Sequence, residues 1–368
     1  MCLNSFRAIK LALAGEDYKR HMNDRAPTFF AERFLYGSQS VVFWQDGFSP
    51  VHGEMRKVIN GCFHFYGEDG RDRFERRIGL ELQRLDRQLQ ALGDGEIEVV
   101  DLLRHSVANT ICIALTGEAF KEDDPGIDMI WDFIEGTNFF VLPVTNFLMA
   151  SFPFLRFVPG EHKTVYDRQE AAKSRIIQDF FTEHKKGRTP GNPRGIVDQL
   201  LDSQEVDINQ GKSPLFTDER IHSAILETFN AVSRECNKDL EFEGYDVPKK
   251  TTVMANVWFV HHDEDIWGDP WKFRPERFLD QDGQILPRHH PLRINWIPFG
   301  YARRSCLGEP FARARYFLYM AHLLRRWEFI PVPGKMGSCD PRKLKDFDNK
   351  ITIRPQPFYC KVRRLNQI

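Results

Sequence analysis

The stretch that decides the fold is PFGYARRSCLGEPFAR, residues 298–313. A loop of small residues leads to Cys306, and the apolar spacing after it predicts a helix that begins directly behind the cysteine. The unpaired amides and the dipole at a helix start favour a thiolate there, and Arg303 and Arg304 add positive charge nearby. A thiolate in this setting suits iron as a ligand. We therefore interpret Cys306 as a metal ligand, although a single cysteine is more often a buried structural residue.

A second motif lies upstream, where FRPERF (273–278) follows WGDP (267–270). Together the two motifs resemble the cytochrome P450 family, with its haem-binding loop F-x-x-G-x-R-x-C-x-G and its meander F-x-P-E-R-F. The matching loop positions are Phe299, Arg304, Cys306 and Gly308, whereas Ala302 replaces a glycine of the family pattern. The resemblance implies haem b as the cofactor, with the Cys306 thiolate on its iron. Phe299 would pack beside the cysteine and the haem.

Four arginines are candidate partners for the haem propionates, because a guanidinium fork meets a carboxylate at two points. Arg304 lies in the loop itself. Arg56 lies in HGEMRK (52–57), which resembles the W-x-x-x-R stretch of the family with His52 in place of tryptophan. Arg25 and Arg234 stand where members of the family often carry a propionate-binding residue. For these last two, a solvated surface arginine is the alternative.

The hydrophobic pattern predicts a mainly α fold with small β elements, which by resemblance is an incomplete cytochrome P450-like fold in one domain over residues 1–368. Apolar side chains recur at helical spacing in several segments. The predicted helices cover residues 71–92, 105–115, 163–186, 218–232 and 316–327, and hairpins are predicted at 240–247 and 351–362. The pair Glu81 and Arg84 is expected on a solvated helix face.

Two features of the resembled family are missing from the sequence. No Glu-x-x-Arg occurs in residues 205–240, where the family has one, and the nearest approach is ETFN (227–230). No acid-threonine pair follows Ala231, so no catalytic residue beyond the haem ligand is predicted. The sequence thus indicates an internal deletion near residues 232–233 and a chain without an N-terminal anchor.

The missing Glu-x-x-Arg concerns Arg277 of the meander, which it would normally pair with. Without that carboxylate, we expect Arg277 either to face solvent or to pair with a nearby acid. The candidates are Glu276, Asp263 and Asp269.

Composition narrows the class of protein further. A formal net charge of −1 gives no indication of nucleic acid binding. The seven cysteines are scattered without a CxxC pair, which indicates neither a disulfide framework nor a zinc site and favours a reducing compartment. The most membrane-like stretch, residues 138–158, contains two prolines and Arg156, so peripheral contact with a membrane is the most that it predicts.

The resemblance implies a monooxygenase that inserts one oxygen atom from dioxygen into an apolar steroid, lipid or xenobiotic. Electrons would come from an NADPH-dependent reductase, and the location would be the endoplasmic reticulum membrane, or the cytosol for a chain without an anchor. SVAN (106–109) is similar to the animal microsomal, steroid- and drug-metabolising branch. Phe139, Phe140 and Phe147 are candidates for a substrate roof or for the core. One alternative is an inert relic or splice form that binds haem weakly or not at all. Another is a haem-thiolate isomerase or peroxide-using enzyme.

Overall fold

The computed structural model describes residues 1–63, 68–93, 95–121, 124–228, 234–349 and 353–365. Helices dominate the part before residue 228, and short strands and loops alternate with the later helices. The α-helices are α1 (Phe6–Ala14), α2 (Phe29–Phe34), α3 (Pro50–Phe63), α4 (Glu68–Leu92), α5 (Val99–Thr116), α6 (Gly126–Phe140), α7 (Pro143–Ser151), α8 (Glu161–Ile177), α9 (His184–Lys186), α10 (Ile196–Asn209), α11 (Asp218–Glu227), α12 (Val257–His261), α13 (Glu264–Trp267), α14 (Pro291–Ile294) and α15 (Glu309–Arg326). The mainly α fold with small β elements is thereby confirmed.

The strands form small sheets that pair distant parts of the chain. They are β1 (Cys2–Leu3), β2 (Glu96–Glu98), β3 (Arg234–Glu235), β4 (Leu240–Phe242), β5 (Tyr245–Val247), β6 (Thr252–Ala255), β7 (Trp327–Pro331), β8 (Phe347–Asn349), β9 (Ile353–Pro355) and β10 (Tyr359–Arg364). The order is β1-β6-β3 in one sheet and β2-β10-β7 in another, and β4-β5 and β8-β9 are two-stranded. The first and last strands, β1 and β10, are thus paired with strands that are distant in the chain.

The predicted helices occur, with ends set by local capping. Thr217 accepts a hydrogen bond from the Arg220 amide and begins α11 as predicted. Gly117 ends α5 in the left-handed conformation, at φ 83°. A π-helical turn, Gln178–Glu183, joins α8 to α9 within the predicted segment 163–186.

All five helix predictions differ from the structure in extent, and α4 and α8 begin two to three residues earlier than predicted, at Glu68 and Glu161. The helices α5 and α15 begin earlier than predicted, at Val99 and Glu309. The last residue of α11 is Glu227, and residues 229–233, which contain the predicted helix end and the proposed deletion point, lie outside the described part of the chain. The predicted helices do not include α6, α7 or α10, the last of which follows the Gly- and Pro-rich turn at 187–195.

One hairpin prediction is confirmed and the other is wrong. In the segment 240–247, β4 and β5 pair as antiparallel neighbours. In the segment 351–362, however, β9 pairs with β8, while β10 pairs with β7 and β2. Alternating side chains predict a strand but leave its partner open, because a strand can pair with any complementary edge.

Three hydrophobic clusters make up the core. The largest joins α2, α3, α5, α6, α8, α10 and α11; a second joins α1 to the segment 236–260 and Ile297; a third joins α4, α5, α15, β7 and β10. Leu307 and Phe311 pack against the first cluster, Phe311 also against the third, and Tyr301 and Ala302 against the second. The cysteine loop therefore lies where the three clusters meet.

One side of α15 is not covered by the described residues. Phe317 is 70% exposed and Leu324 is 57% exposed, whereas Tyr319 and Leu323 are buried in the third cluster. Phe317 and Leu324 therefore face away from the core. An apolar helix face of this kind ordinarily packs against another element.

Only α5, among the described residues, is long and apolar enough to cross a membrane. More than half of it is buried inside the protein, and its buried residues include Ser106, Asn109 and Thr110. Such packing is typical of the core helix of a globular domain.

Candidate functional site

The cysteine loop is built from tight turns that end at the start of α15. Cys306 donates its backbone N–H to the Phe299 carbonyl at 2.8 Å, and Gly308 is the residue that precedes α15. A Cβ on Gly308 would lie 3.8 Å from the Cys306 sulfur, so glycine leaves that side of the sulfur uncovered. The loop presents Cys306 at an exposed position.

Two opposing influences act on the Cys306 thiol. Burial of the sulfur by its neighbours has the largest effect and raises its pKa, although the residue as a whole is exposed. The backbone N–H groups of Gly308 and Glu309 lower the pKa, and so does Arg56. The start of the helix therefore lowers the pKa of the Cys306 thiol as expected, but burial raises that pKa by more.

Ala302 stands in the left-handed region, with φ at 61°. This is the position where the resembled loop pattern has glycine, and a side chain costs about 1–2 kcal/mol in that conformation. The replacement is thus more than a small change of side chain, because it strains the turn immediately before Arg304 and Cys306.

We expect Ala302→Gly to stabilise the protein by about 1 kcal/mol, since the strain at positive φ exceeds the extra entropy of an unfolded glycine. Urea unfolding measures the change. As a control, Ala321→Gly on the exposed side of α15 should cost about 1 kcal/mol, because it places glycine in a helix interior. An Ala302→Gly variant that unfolds at a lower urea concentration than the parent would contradict the claim that Ala302 is strained.

Arg304 is buried and turned into the protein. Its guanidinium donates to the Asn23 carbonyl at 3.0 Å, to the Trp44 carbonyl, and at 3.4 Å to the Gln45 carbonyl. Burial and the nearby Arg56 lower its pKa to about 10. Residues 40–45, which supply two of these carbonyls, are called the strap below.

The other candidate arginines converge on the same region. Arg56 donates to the Ser305 carbonyl at 2.8 Å, directly beside the cysteine. Arg25 donates to the Val42 carbonyl of the strap at 3.2 Å, and Arg234 donates to the Tyr301 carbonyl at 3.1 Å. Arg25 and Arg234 are only 6% and 7% exposed, so the alternative of solvated surface arginines is wrong for both.

These four arginines repel one another. Burial lowers the pKa of Arg25 most, and the charges of Arg234, Arg304 and Arg56 lower it further. Among the described residues, neither Arg56, Arg234 nor Arg304 forms an ion pair with a carboxylate. The structure thus concentrates positive charge beside the cysteine loop.

His52 completes this group, called the basic cluster: Arg25, Arg56, Arg234, Arg304 and His52. Its Nε2 lies 3.0 Å from the Val41 carbonyl and 2.9 Å from the Arg304 guanidinium, so it can donate to the first or accept from the second. Burial, Arg304 and Arg56 lower the pKa of His52 to about 3, which keeps the ring neutral at physiological pH.

Two buried polar atoms of the basic cluster have no hydrogen-bond partner among the described residues. They are Nδ1 of His52 and Nε of Arg234. Buried polar atoms of this kind ordinarily have partners. Together with the unbalanced positive charge, they fit a ligand that carries carboxylates, as haem does.

The remaining site candidates are more dispersed. Phe299 is half-buried, and its ring lies under the Arg313 guanidinium at 5.1 Å. Phe140 is buried in the core against Phe29, whereas Phe147 is 65% exposed. Core packing therefore accounts for Phe140, and Phe139, Phe140 and Phe147 do not share one environment.

Arg277 takes the second of its two expected courses. Its side chain is 8% exposed, and its guanidinium lies 3.3 Å from Asp269. The same side chain donates to the backbone carbonyls of Trp267, Asp269, Lys272 and Arg274. The meander therefore satisfies its arginine internally.

The expectation for Glu81 and Arg84 was wrong. The Glu81 side chain is 1% exposed and forms an ion pair with Arg84 at 2.8 Å. It also accepts hydrogen bonds from Ser106 and Asn109 of α5, and Ser106 bonds the Tyr319 hydroxyl of α15 at 2.6 Å. The pair thus belongs to a buried polar network that joins three helices.

Glu227 has a structural role that was not predicted from the sequence. Its carboxylate accepts hydrogen bonds from Ser40 and Ser223 and, at 3.1 Å, from the Val42 amide. Burial raises its pKa to about 7. A local signal for it is the buried Ser223, which lies four residues earlier and therefore on the same helix face.

Comparison with known proteins gives a consistent result. The family model described as Cytochrome P450 matches residues 4–233 and 230–362. A steroid 17-alpha-hydroxylase/17,20 lyase from Gallus gallus is 24% identical over 418 residues, covering 92% of this chain and 78% of that protein. Cytochrome P450 1A2 from Homo sapiens is 25% identical over 419 residues, covering 93% of this chain and 79% of that protein. A vitamin D(3) 25-hydroxylase from Sus scrofa is 25% identical over 407 residues, covering 92% and 79%.

Proposed function

This chain belongs to the cytochrome P450 family, and we propose that it is a haem-thiolate monooxygenase acting on an apolar small molecule of the steroid, lipid or xenobiotic kind. The observation that carries the proposal is the juxtaposition of Cys306, exposed at the start of α15, with the largely buried basic cluster. Several relatives are hydroxylases by name, and two of those names refer to a steroid and to vitamin D(3).

Cys306 and the groups around it would hold the iron of haem b. Cys306 would be the iron ligand, and the amides of Gly308 and Glu309 would stabilise the negative charge on its sulfur. Arg56 braces the loop through the Ser305 carbonyl. When bound, a thiolate-ligated haem supplies the activation of dioxygen, since the thiolate donates electron density that favours O–O cleavage.

The basic cluster would neutralise the two propionates. Arg304 belongs to the cysteine loop and Arg56 contacts it, so these two are the first candidates, and Arg25 and Arg234 add positive charge to the cluster. The unpartnered Nε of Arg234 is a donor that a propionate could satisfy, and Nδ1 of His52 is a second donor in the tautomer whose Nε2 accepts from Arg304. Carboxylate binding would offset the repulsion that, besides burial, lowers the pKa values of Arg25 and Arg304.

Partner and location follow by family resemblance. We propose that an NADPH-dependent reductase supplies the electrons and that the protein acts at the endoplasmic reticulum membrane. An apolar surface supports membrane contact, since Phe147, Phe152, Phe154 and Phe157 are all exposed within the segment that the sequence marked as membrane-like. Arg156, whose guanidinium lies 4.8 Å from the Phe157 ring centre, could meet anionic headgroups there.

A second candidate function is an inert relic or splice form that binds haem weakly or not at all. The uncovered face of α15, with Phe317 and Leu324, favours it. The family match also falls into two parts that meet at residues 230–233, and alignments of 418 and 419 residues exceed this chain of 368. Both observations support the proposed internal deletion.

Carbon monoxide spectroscopy tests the monooxygenase proposal against the inert alternative. The chain is reconstituted with haem, reduced and exposed to carbon monoxide. We expect the Soret band of a thiolate-ligated haem, and we expect Cys306→Ala to abolish it because the axial ligand is lost. Cys339→Ala, at another exposed cysteine, is the matched control and should keep the band. A Soret band typical of histidine ligation, unchanged in Cys306→Ala, would refute thiolate ligation, and a chain that retains no haem would favour the relic.

A further inference from the structure

The strap, residues 40–45, connects two parts of the molecule. On one side its backbone carbonyls hold members of the basic cluster: Val41 faces His52, Val42 accepts from Arg25, and Trp44 and Gln45 accept from Arg304. Gln45 also accepts the backbone N–H of Arg25 at 3.0 Å. The direction of these side chains therefore depends on where the strap lies.

On its other side the strap is held by α11. Glu227 accepts from the Ser40 hydroxyl through Oε1 and from the Val42 amide through Oε2. The Ser40 hydroxyl in turn accepts the Phe43 amide at 2.8 Å. One carboxylate thus binds the strap at two points and closes a turn within it.

A second side chain of α11 reaches the same segment. Arg220 donates to the Gln39 side chain at 2.9 Å, and its guanidinium lies 5.5 Å from the centre of the Trp44 ring. The contact is lateral, because it engages side chains and no backbone amide of the strap. Glu227 is therefore the group of α11 that the described residues show bound to the strap backbone.

We propose that Glu227 is a positioning residue for the cofactor site, which holds the strap so that its carbonyls direct Arg25, Arg304 and His52. The proposal rests on the proposed function, since it assumes that the basic cluster binds the haem carboxylates. It extends that function by assigning a role to an acid that makes no contact with the cysteine loop. Residues that orient a primary ligand in this way commonly change its affinity by about 10–100-fold when removed.

The burial of Glu227 agrees with this role. It is 8% exposed, and burial raises the pKa of its carboxyl group to about 7. Placing a carboxyl group in such surroundings is costly unless its hydrogen bonds are satisfied. A buried acid whose acceptors serve Ser40, Ser223 and Val42 is explained if those contacts fix the strap.

Three variants and one control test the link. Glu227→Ala removes both acceptors. Glu227→Gln keeps the shape, and its carbonyl oxygen can face the Val42 amide while the serine hydroxyls rotate to accept from its NH₂ group. Ser40→Ala removes one of the two strap contacts of Glu227, and it takes the place of Glu227→Ala in the test if that variant does not fold. Glu219→Ala, at an exposed acid of the same helix, is the control.

Hydrogen–deuterium exchange of the full chain without haem is the first measurement. We expect the amides of the strap to exchange about 10-fold faster in Glu227→Ala, while α10 and β10 remain protected. Glu227→Gln should restore protection, Ser40→Ala should loosen the strap partly, and Glu219→Ala should match the parent. Unchanged exchange in Glu227→Ala would overturn the proposal, because it would show that Glu227 does not hold the strap. An equal increase throughout the chain would also overturn it, because it would show that Glu227 stabilises the whole fold.

Haem titration is the second measurement. We expect the haem dissociation constant to rise about 10-fold in Glu227→Ala and to stay near that of the parent in Glu227→Gln. A parent chain that binds no haem would refute the proposed function itself. A parent that binds haem, with equal affinity in Glu227→Ala, would refute only the positioning role.

Discussion

Replacing Glu81 by alanine is expected to lower the free energy of unfolding by about 3–5 kcal/mol, as the loss of one partner from a buried ion pair typically does. The substitution removes the acceptor of Arg84, Ser106 and Asn109 at once. Ser106 and Asn109 are buried, so water does not readily replace the lost acceptor. The substitution would weaken the packing of α4 against α5 and, through the bond between Ser106 and Tyr319, the packing of α15.

Urea unfolding of Glu81→Ala and Glu81→Gln measures this effect. The amide should cost less than alanine, because it keeps one acceptor oxygen for Ser106 or Asn109. Glu54→Ala is the matched control, since Glu54 lies in an exposed pair with Lys57 at 3.8 Å and should change stability by less than about 0.5 kcal/mol. A cost below about 1 kcal/mol for Glu81→Ala would mean that the network contributes little.

Replacing Arg277 by alanine is expected to cost about 2–4 kcal/mol, because hydrogen bonds to a charged group contribute more than neutral ones. The guanidinium is 8% exposed and binds the carbonyls of Trp267 at 2.7 Å and Lys272 at 2.9 Å, besides Asp269. Removing it would leave several loop carbonyls without their donor. A solvent-facing arginine, the first of the two sequence-based expectations, would cost almost nothing to replace.

A thermal melt of Arg277→Ala beside Arg274→Ala separates the two cases. Arg274 binds the same Asp269 oxygen at 3.0 Å, but its side chain is 51% exposed. Its loss should therefore change stability by less than about 0.5 kcal/mol. Equal melting temperatures for the two variants would show that the carbonyl contacts of Arg277 do not stabilise the meander.

Some features of the fold were predictable because their cause is local. The spacing of Ile78, Leu82, Leu85 and Leu89 placed a helix correctly, since the period of a helix is a property of one segment. The hairpin at 240–247 was predictable from its turn, which has Gly244 at φ 84°. The cysteine loop was recognisable because its short pattern of residues is continuous in the chain.

Other features depended on residues far apart in sequence. From the sequence, Arg25 and Arg234 were either propionate partners or solvated surface arginines, and only the structure shows them buried, with bonds to the strap and to Tyr301. The sequence named three candidate acids for Arg277, and only the structure shows that Asp269 and nearby backbone carbonyls bind it.

The sequence by itself determined the family, the mainly helical class and the cysteine that serves as the iron ligand candidate, because each rests on a local pattern or a continuous motif. Only the tertiary structure decided which charged groups are buried and what they hold. Glu81 and Glu227 both lie on helices whose exposed faces also carry acids, so composition does not distinguish them. Burial of an acid is decided by the elements packed over it: α5 brings Ser106 and Asn109 to Glu81, and the strap brings Ser40 and Val42 to Glu227.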